Sequence, residues 1–231
     1  MTQITDHLAS IRRRIESALA RSDRKATAVT IVAVSKRQTA DAITAAAAAG
    51  LTQFGENYLQ EGLEKIAAVA NPAIDWHFVG RVQSNKTRSI AASFSWVQTI
   101  DQKRITERLN AQRPDHLDPL NVLVQMNLDQ EPQKAGIGTE ELLPLAEHIS
   151  KLSRLHLRGV MAMPPADQSP SAKRASFLAL AAEAERLKSH GFDIDTISMG
   201  MSSDFDLAIE CGSNCVRLGT AIFGPRPTIP A

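Results

Sequence analysis

Cysteine is scarce: the 231 residues hold two, Cys211 and Cys215. That excludes a disulfide framework and fits a reducing compartment, so the chain is expected to be cytoplasmic. The two lie four apart, with no companion pair or histidine at zinc-ligand spacing, so they read as small core residues and no metal is expected. Net charge is scarce as well. Lys plus Arg number 26 against 25 Asp plus Glu, a formal +1, so the overall balance points to no polyanion-binding surface and no nucleic-acid partner is expected, a local basic patch being left open. No run approaches the roughly 20 apolar residues of a membrane span, and the amino terminus has no signal-peptide core, so no membrane is expected either. A Pro/Gly-rich linker is also missing. One domain over residues 1–231 follows, a size usual for a single α/β barrel.

What the chain does have is a regular alternation. Ile4, Leu8, Ile11, Ile15 and Leu19 recur at helical spacing, which predicts a flanking helix over about 4–20. Asp6 and Glu16 interrupt the charge of Arg12, Arg13 and Arg14, so that side reads as a solvated face. Short apolar runs then follow at 29–34, 52–55, 75–79, 96–100, 120–126, 155–161, 196–199 and 215–218. Between them fall helical segments at 41–49, 57–69, 84–92, 101–111, 140–150, 171–190 and 204–210. Gly50 and Gly191 stop two of these, and Asp101 is a suitable N-cap for another. Eight strand–helix units predict α/β architecture: a single (β/α)8 TIM barrel with an extra N-terminal helix. A doubly wound open sheet would usually have fewer units.

In such a barrel the chemistry gathers at the carboxyl ends of the strands. The first strand, Thr30 to Val34, runs into Ser35 and Lys36. Lysine closing a buried strand either snorkels to solvent or has a task. Loss of water disfavours an ammonium, and the neutral amine is the form that attacks an aldehyde to give a Schiff base. The segments after strands seven and eight carry glycine and hydroxyls: Gly200, Ser202 and Ser203, then Gly219 and Thr220. Barrels often bind phosphate there, where backbone N–H groups, hydroxyls and a helix start converge; here that helix is expected to begin near Ser203. Ordinary turn chemistry, with Ser202 or Ser203 as an N-cap, is the competing reading. An amine opposite a phosphate cradle suits an aldehyde that bears phosphate, either pyridoxal phosphate or a sugar phosphate. Arg217 can meet the phosphate or donate to a pyridine nitrogen, keeping it unprotonated. His77 reads as a satisfied core histidine. Met161, Met163, Met199 and Met201 read as apolar lining of the barrel mouth or as core.

Seven stretches in fixed order carry a family resemblance: Val32 to Lys36, Phe54 to Tyr58, Trp76 to Gly80, Gln83 to Lys86, Leu157 to Ala162, Ser198 to Ser202 and Val216 to Gly224. With them the sequence resembles the pyridoxal-phosphate homeostasis proteins, similar in fold to the amino-terminal domain of alanine racemase. The resemblance implies that Lys36 carries pyridoxal 5′-phosphate as an internal Schiff base. It also implies that Ser202, Gly219 and Thr220 hold the phosphate, that Arg217 faces the pyridine nitrogen, and that Asn57 and Met199 line the ring pocket. The sequence departs from the family pattern at Arg81, at Arg37-Gln38-Thr39 and at Gln133-Lys134-Ala135-Gly136-Ile137.

The same resemblance argues against efficient catalysis. Alanine racemase draws a catalytic tyrosine from a second domain. Here the sequence runs to Ala231, and its one tyrosine, Tyr58, follows strand two. Two-base racemisation therefore has one evident base, Lys36, and no catalytic residue beyond it is assigned. The expected role is a monomeric carrier in vitamin B6 homeostasis and amino-acid balance that passes pyridoxal phosphate to apo-enzymes. The runner-up is a weak amino-acid racemase with the same cofactor, and a third reading is a Schiff-base aldolase acting on a sugar phosphate.

Overall fold

The structure, a computed structural model, describes residues 3–22, 29–128, 135–165 and 167–225. Eight parallel strands close into a barrel in sequence order. They are β1 (Thr30–Val34), β2 (Gln53–Glu56), β3 (Asp75–Phe78), β4 (Trp96–Ile100), β5 (Leu120–Met126), β6 (Leu155–Ala162), β7 (Thr196–Ser198) and β8 (Cys215–Leu218). Around them run α1 (Gln3–Arg21), α2 (Ala40–Ala48), α3 (Leu59–Val69), α4 (Thr87–Ser93), α5 (Lys103–Gln112), α6 (Thr139–Ile149), α7 (Pro170–Ser189), α8 (Phe205–Glu210) and α9 (Thr220–Phe223). The expected barrel and its extra N-terminal helix are both present. Of the family departures, Gln133 and Lys134 lie outside the described residues.

Alternation along each strand sorts side chains between two environments. Ala33, Phe54, Trp76, Phe78, Val97, Val122, Val160, Ile197, Val216 and Leu218 face outward and join the apolar layer under the helices. The residues between them point into the barrel, where β1 meets β8 with Val32 opposite Arg217. Helix ends follow local chemistry. Thr39 accepts a hydrogen bond from the Ala42 N–H at 3.2 Å to open α2, and Ser169 does the same for α7, with Pro170 at its first position.

Helix starts differ from expectation at α5, α4 and α3. Gln102, not Asp101, takes the cap position of α5. Asp101 stays half-buried, its pKa raised by that burial against the lowering pull of Arg81 and of the Gly136 backbone hydrogen bond. The segment predicted to begin at Ser84 opens as a 3-10 turn over Ser84–Lys86 before α4. The third, α3, begins at Leu59 rather than Asn57. A Cβ on Gly80 would come within 2.0 Å of the Asn57 carbonyl oxygen, so the Asn57 backbone rests on Gly80 and stays out of the helix.

The N-terminal helix α1 buries Leu8, Ile11, Ile15 and Ala18 and lies against α2, α8 and α9. Arg12, Arg13 and Arg14 are exposed, as expected of a solvated face, and ion pairs form along that side. Arg14 pairs with Asp206 at 2.5 Å and lies 4.1 Å from the centre of the Phe205 ring, while Arg21 pairs with Glu210 at 2.7 Å.

Candidate functional site

Lys36 follows β1 by two residues, and its backbone is held from beneath by a buried cluster. The Ser35 hydroxyl donates to Glu56 Oε1 at 2.6 Å. Lys65, from α3, donates to the Ser35 carbonyl at 2.6 Å, to Glu56 at 2.8 Å and to Glu61 at 2.6 Å. Glu61 also accepts the Arg37 N–H, and Arg37 sits in the left-handed region at φ 62°. The chain is thus fastened on both sides of Lys36. Burial pushes the Glu56 carboxyl up, and the Lys65 ammonium and Ser35 hydroxyl act against that shift. Sequence reasoning singled out neither Glu56 nor Lys65 as a support. The i,i+4 spacing of Glu61 and Lys65 was the one local signal.

At the carboxyl ends of the strands opens a cavity of about 410 Å³. Lys36, Asn57, Ser202, Arg217, Gly219 and Thr220 all line it, together with Met163 and Met201. Six of the seven expected site residues are therefore brought to one space. Met199 is not among the lining residues: it is fully buried in the outer apolar layer, and Met201 takes the position expected of it.

The two glycine–hydroxyl loops are joined through Ser202, whose Oγ accepts from the N–H groups of Gly219 at 3.3 Å and Ala221 at 3.2 Å. Gly219 is packed close to β1, since a Cβ there would lie 3.3 Å from the Val34 oxygen. The expected helix start near Ser203 is displaced. The first residue of α8 is Phe205, and Asp204 occupies the cap position. Its carboxylate accepts from the Met201 N–H at 2.8 Å and from Lys173 at 3.2 Å. A carboxylate at that end opposes an anion, so the phosphate-compatible surface is the loop pair and the first turn after Gly219.

Arg217 is buried inside the barrel and still lines the cavity. It donates to Ser198 Oγ at 2.6 Å and to the Ala162 carbonyl at 2.9 Å. Burial lowers its pKa to about 10, which leaves it cationic at neutral pH. With five N–H donors and two in use among the described residues, it keeps donors for the cavity. His77 is buried between Gln98 and Gln53, as a satisfied core histidine should be. Cys211 and Cys215 are buried and unbridged. Among the described residues no group of three or more His, Cys, Asp or Glu could hold a metal, and no helix is long and apolar enough to cross a membrane.

A larger cavity, about 710 Å³, opens at the amino ends of the strands between α1 and the barrel floor. Arg12, Glu16, Asp75, Arg158 and Asp195 line it, and none of the mouth residues does. Arg158 there is bound to Asp195 and Asn121 and lies 4.8 Å from the centre of the Trp96 ring.

Residues 7–227 match the family model of the alanine racemase N-terminal domain. The pyridoxal phosphate homeostasis protein of Pasteurella multocida is 46% identical over 227 residues, covering 96% of this chain and 97% of its own. Among solved structures, PipY of Synechococcus elongatus with PLP bound is similar at TM-score 0.84 and 32% identity, over 96% of this chain and 100% of that one. Alanine racemase from Corynebacterium glutamicum shares the fold at TM-score 0.70 and 13% identity, with 98% of this chain covering 63% of the enzyme.

Proposed function

The chain belongs to the pyridoxal phosphate homeostasis proteins, built on the alanine racemase N-terminal domain, and from that premise we propose that it holds pyridoxal 5′-phosphate as a Schiff base on Lys36. The observation that carries the reading is the meeting of Lys36, Arg217 and the Ser202–Thr220 loop pair on one cavity of about 410 Å³. That volume lies within the range of small-ligand sites, and the donors present match the ligand's three functional groups. Lys36 would hold the cofactor by its aldehyde, amine and aldehyde joining as an imine with loss of water. Thr220 and Ser202 offer hydroxyl donors for the phosphate, and Gly219, with no side chain, lets the loop come close to it. Arg217 has donors but no acceptor, so against the pyridine nitrogen it favours the unprotonated ring, a poorer electron sink. Asn57 supplies a polar edge, and Met201 and Met163 supply apolar surface.

The chain is read as a cytosolic, monomeric binder that holds and delivers the cofactor, not as an efficient enzyme. Racemisation by two bases needs a group opposite Lys36. Tyr58, the one tyrosine, is 54% exposed and is not among the residues lining the cavity. A weak racemase remains the second reading, since Lys36 alone can move a proton slowly.

The test is an absorbance spectrum of the protein mixed with pyridoxal phosphate, then borohydride reduction and peptide mapping. A Schiff-base band fixed onto Lys36 is expected. A protein that stays colourless and unmodified overturns the reading and returns the sugar-phosphate aldolase to consideration. Exchange of an amino acid's α-hydrogen with solvent would favour the racemase. Release of cofactor to an apo-enzyme without such exchange would favour the carrier.

A further inference from the structure

We propose that Ser198, Gln98, His77 and Gln53 are positioning residues: they form a one-way hydrogen-bond chain through the barrel that anchors Arg217 at the mouth to Asp75 at the floor. Arg217 Nη1 donates to Ser198 Oγ at 2.6 Å, and the Ser198 hydroxyl donates to Gln98 Oε1 at 2.7 Å. Gln98 Nε2 lies 2.9 Å from His77 Nδ1, and His77 Nε2 lies 2.8 Å from Gln53 Oε1. Gln53 Nε2 completes the run by donating to Asp75 Oδ2 at 2.9 Å. The residues come from β8, β7, β4, β3 and β2, and the step from β7 to β4 spans the barrel interior.

The two ends decide the direction. A guanidinium can only donate and an ionised carboxylate can only accept. Ser198 therefore accepts from Arg217, and its own proton points on to Gln98 Oε1. Gln98 must turn its oxygen to Ser198 and its NH₂ to His77. His77 Nδ1 is then the acceptor, so Nε2 carries the proton and Gln53 must face it with oxygen. This arrangement satisfies every link, with each bond dipole pointing from cation to anion, and such chains strengthen link by link. A proton added to His77 Nδ1 would face the Gln98 NH₂ donor to donor. Burial independently opposes that proton and lowers the His77 pKa to about 3.

The consequence at the mouth is a guanidinium fixed at two atoms, by Ser198 and by the Ala162 carbonyl, with its remaining donors free to meet the ligand ring. This effect on the ligand rests on the pyridoxal phosphate reading above; the chain itself does not.

The test has two arms. Histidine ¹⁵N spectra of the protein without added ligand are expected to show His77 neutral, with Nε2 protonated and Nδ1 bare, from pH 8 to pH 5. The opposite tautomer, or an imidazolium at pH 6, overturns the chain. In the second arm, pyridoxal phosphate is titrated into wild type, Ser198→Ala and Ser198→Thr. The alanine variant is expected to bind about tenfold more weakly, the size of one charge-assisted hydrogen bond. Its bound-cofactor absorbance band is expected to shift while Lys36 still traps the cofactor with borohydride, and threonine restores both affinity and band. An alanine variant with wild-type affinity and an unshifted band overturns the positioning role even if the histidine spectrum agrees. If wild type takes up no pyridoxal phosphate, the functional reading and the positioning role fall together, while the histidine arm still decides the chain.

Discussion

The Ser198 hydroxyl meets Gln98 Oε1 at 2.7 Å across the hollow of the barrel, between strands seven and four. Barrel interiors of this class are commonly filled by layers of branched apolar side chains. Here part of that volume is amide, imidazole and guanidinium. A buried polar network of this kind specifies one arrangement only if every member is satisfied.

Gln98→Leu tests that condition. Leucine is similar in volume but leaves both His77 Nδ1 and the Ser198 hydroxyl without their present partner, and each stranded group costs about 1–3 kcal/mol. A loss of about 2–6 kcal/mol is expected as a lower urea midpoint at unchanged slope. A variant as stable as wild type would show that the network contributes nothing to stability.

The depressed His77 gives a pH dependence with a definite sign. Its pKa is about 3 when folded, against an ordinary value of 6.5. Between those values the unfolded chain binds a proton that the native state does not. Stability is therefore complete above about pH 6.5 and is lost as pH falls toward 3, at up to about 1.4 kcal/mol per pH unit. Other groups titrate in the same range, so the comparison that isolates His77 is wild type against His77→Gln. The variant should lose less stability between pH 7 and pH 4, measured by urea unfolding. Identical pH slopes in the two proteins would count against a neutral buried imidazole.

Most of the barrel was legible because its strands are short apolar runs bounded by turn residues, and 96–100, 120–126 and 215–218 are strands over those same residues. The mouth was legible because Lys36 and the two glycine–hydroxyl loops stand at strand ends. Met199 against Met201 was not. It depends on Gly200 at φ +94°, where a Cβ would lie 2.6 Å from Ala208 Cβ. The chain turns there and sends Met199 to the core and Met201 to the cavity. The supports were hidden for another reason: Ser35–Glu56 and Ser198–Gln98 are 21 and 100 residues apart. Such pairs exist only once the strands close into a barrel.

The cluster under Lys36 sets up a double-mutant cycle. Lys65→Met removes the cation from the buried Glu56 carboxylate, whose Oε2 has no hydrogen-bond partner among the described residues. Breaking a buried pair from one side costs about 3–5 kcal/mol. Replacing both, as Lys65→Met with Glu56→Leu, removes the stranded charge and should recover a large share of that loss. If the double variant is as unstable as the sum of the two singles, the pair is not coupled and the account of Glu56 fails.

Thr220→Val probes the loop assignment. Valine keeps the shape of threonine and removes only the hydroxyl, so the fold should hold. Affinity for pyridoxal phosphate should fall about tenfold, the effect of one hydrogen bond to a charged phosphate, while the pyridoxal analogue without phosphate should bind both proteins alike. Equal loss for both ligands would mean that Thr220 supports the pocket without touching the phosphate.

Two glycines separate a defect at the site from a defect in stability. Gly80 lies under Asn57 with its own carbonyl accepting from Thr99 Oγ1 at 2.6 Å, so the backbone is held from both sides and cannot retreat. A methyl there meets the Asn57 oxygen at 2.0 Å, and Gly80→Ala must move Asn57, a residue of the cavity wall. Overpacking of this kind costs about 1–3 kcal/mol, and cofactor affinity should fall with it. At Gly191, φ is +85° and a Cβ would meet nothing within 4 Å, so Gly191→Ala adds left-handed strain of roughly 1 kcal/mol far from the mouth. Thermal unfolding should report a loss in both variants, and ligand titration a loss in Gly80→Ala alone. Wild-type affinity in Gly80→Ala would mean that Asn57 can shift without consequence, and its place in the cofactor site would have to be withdrawn.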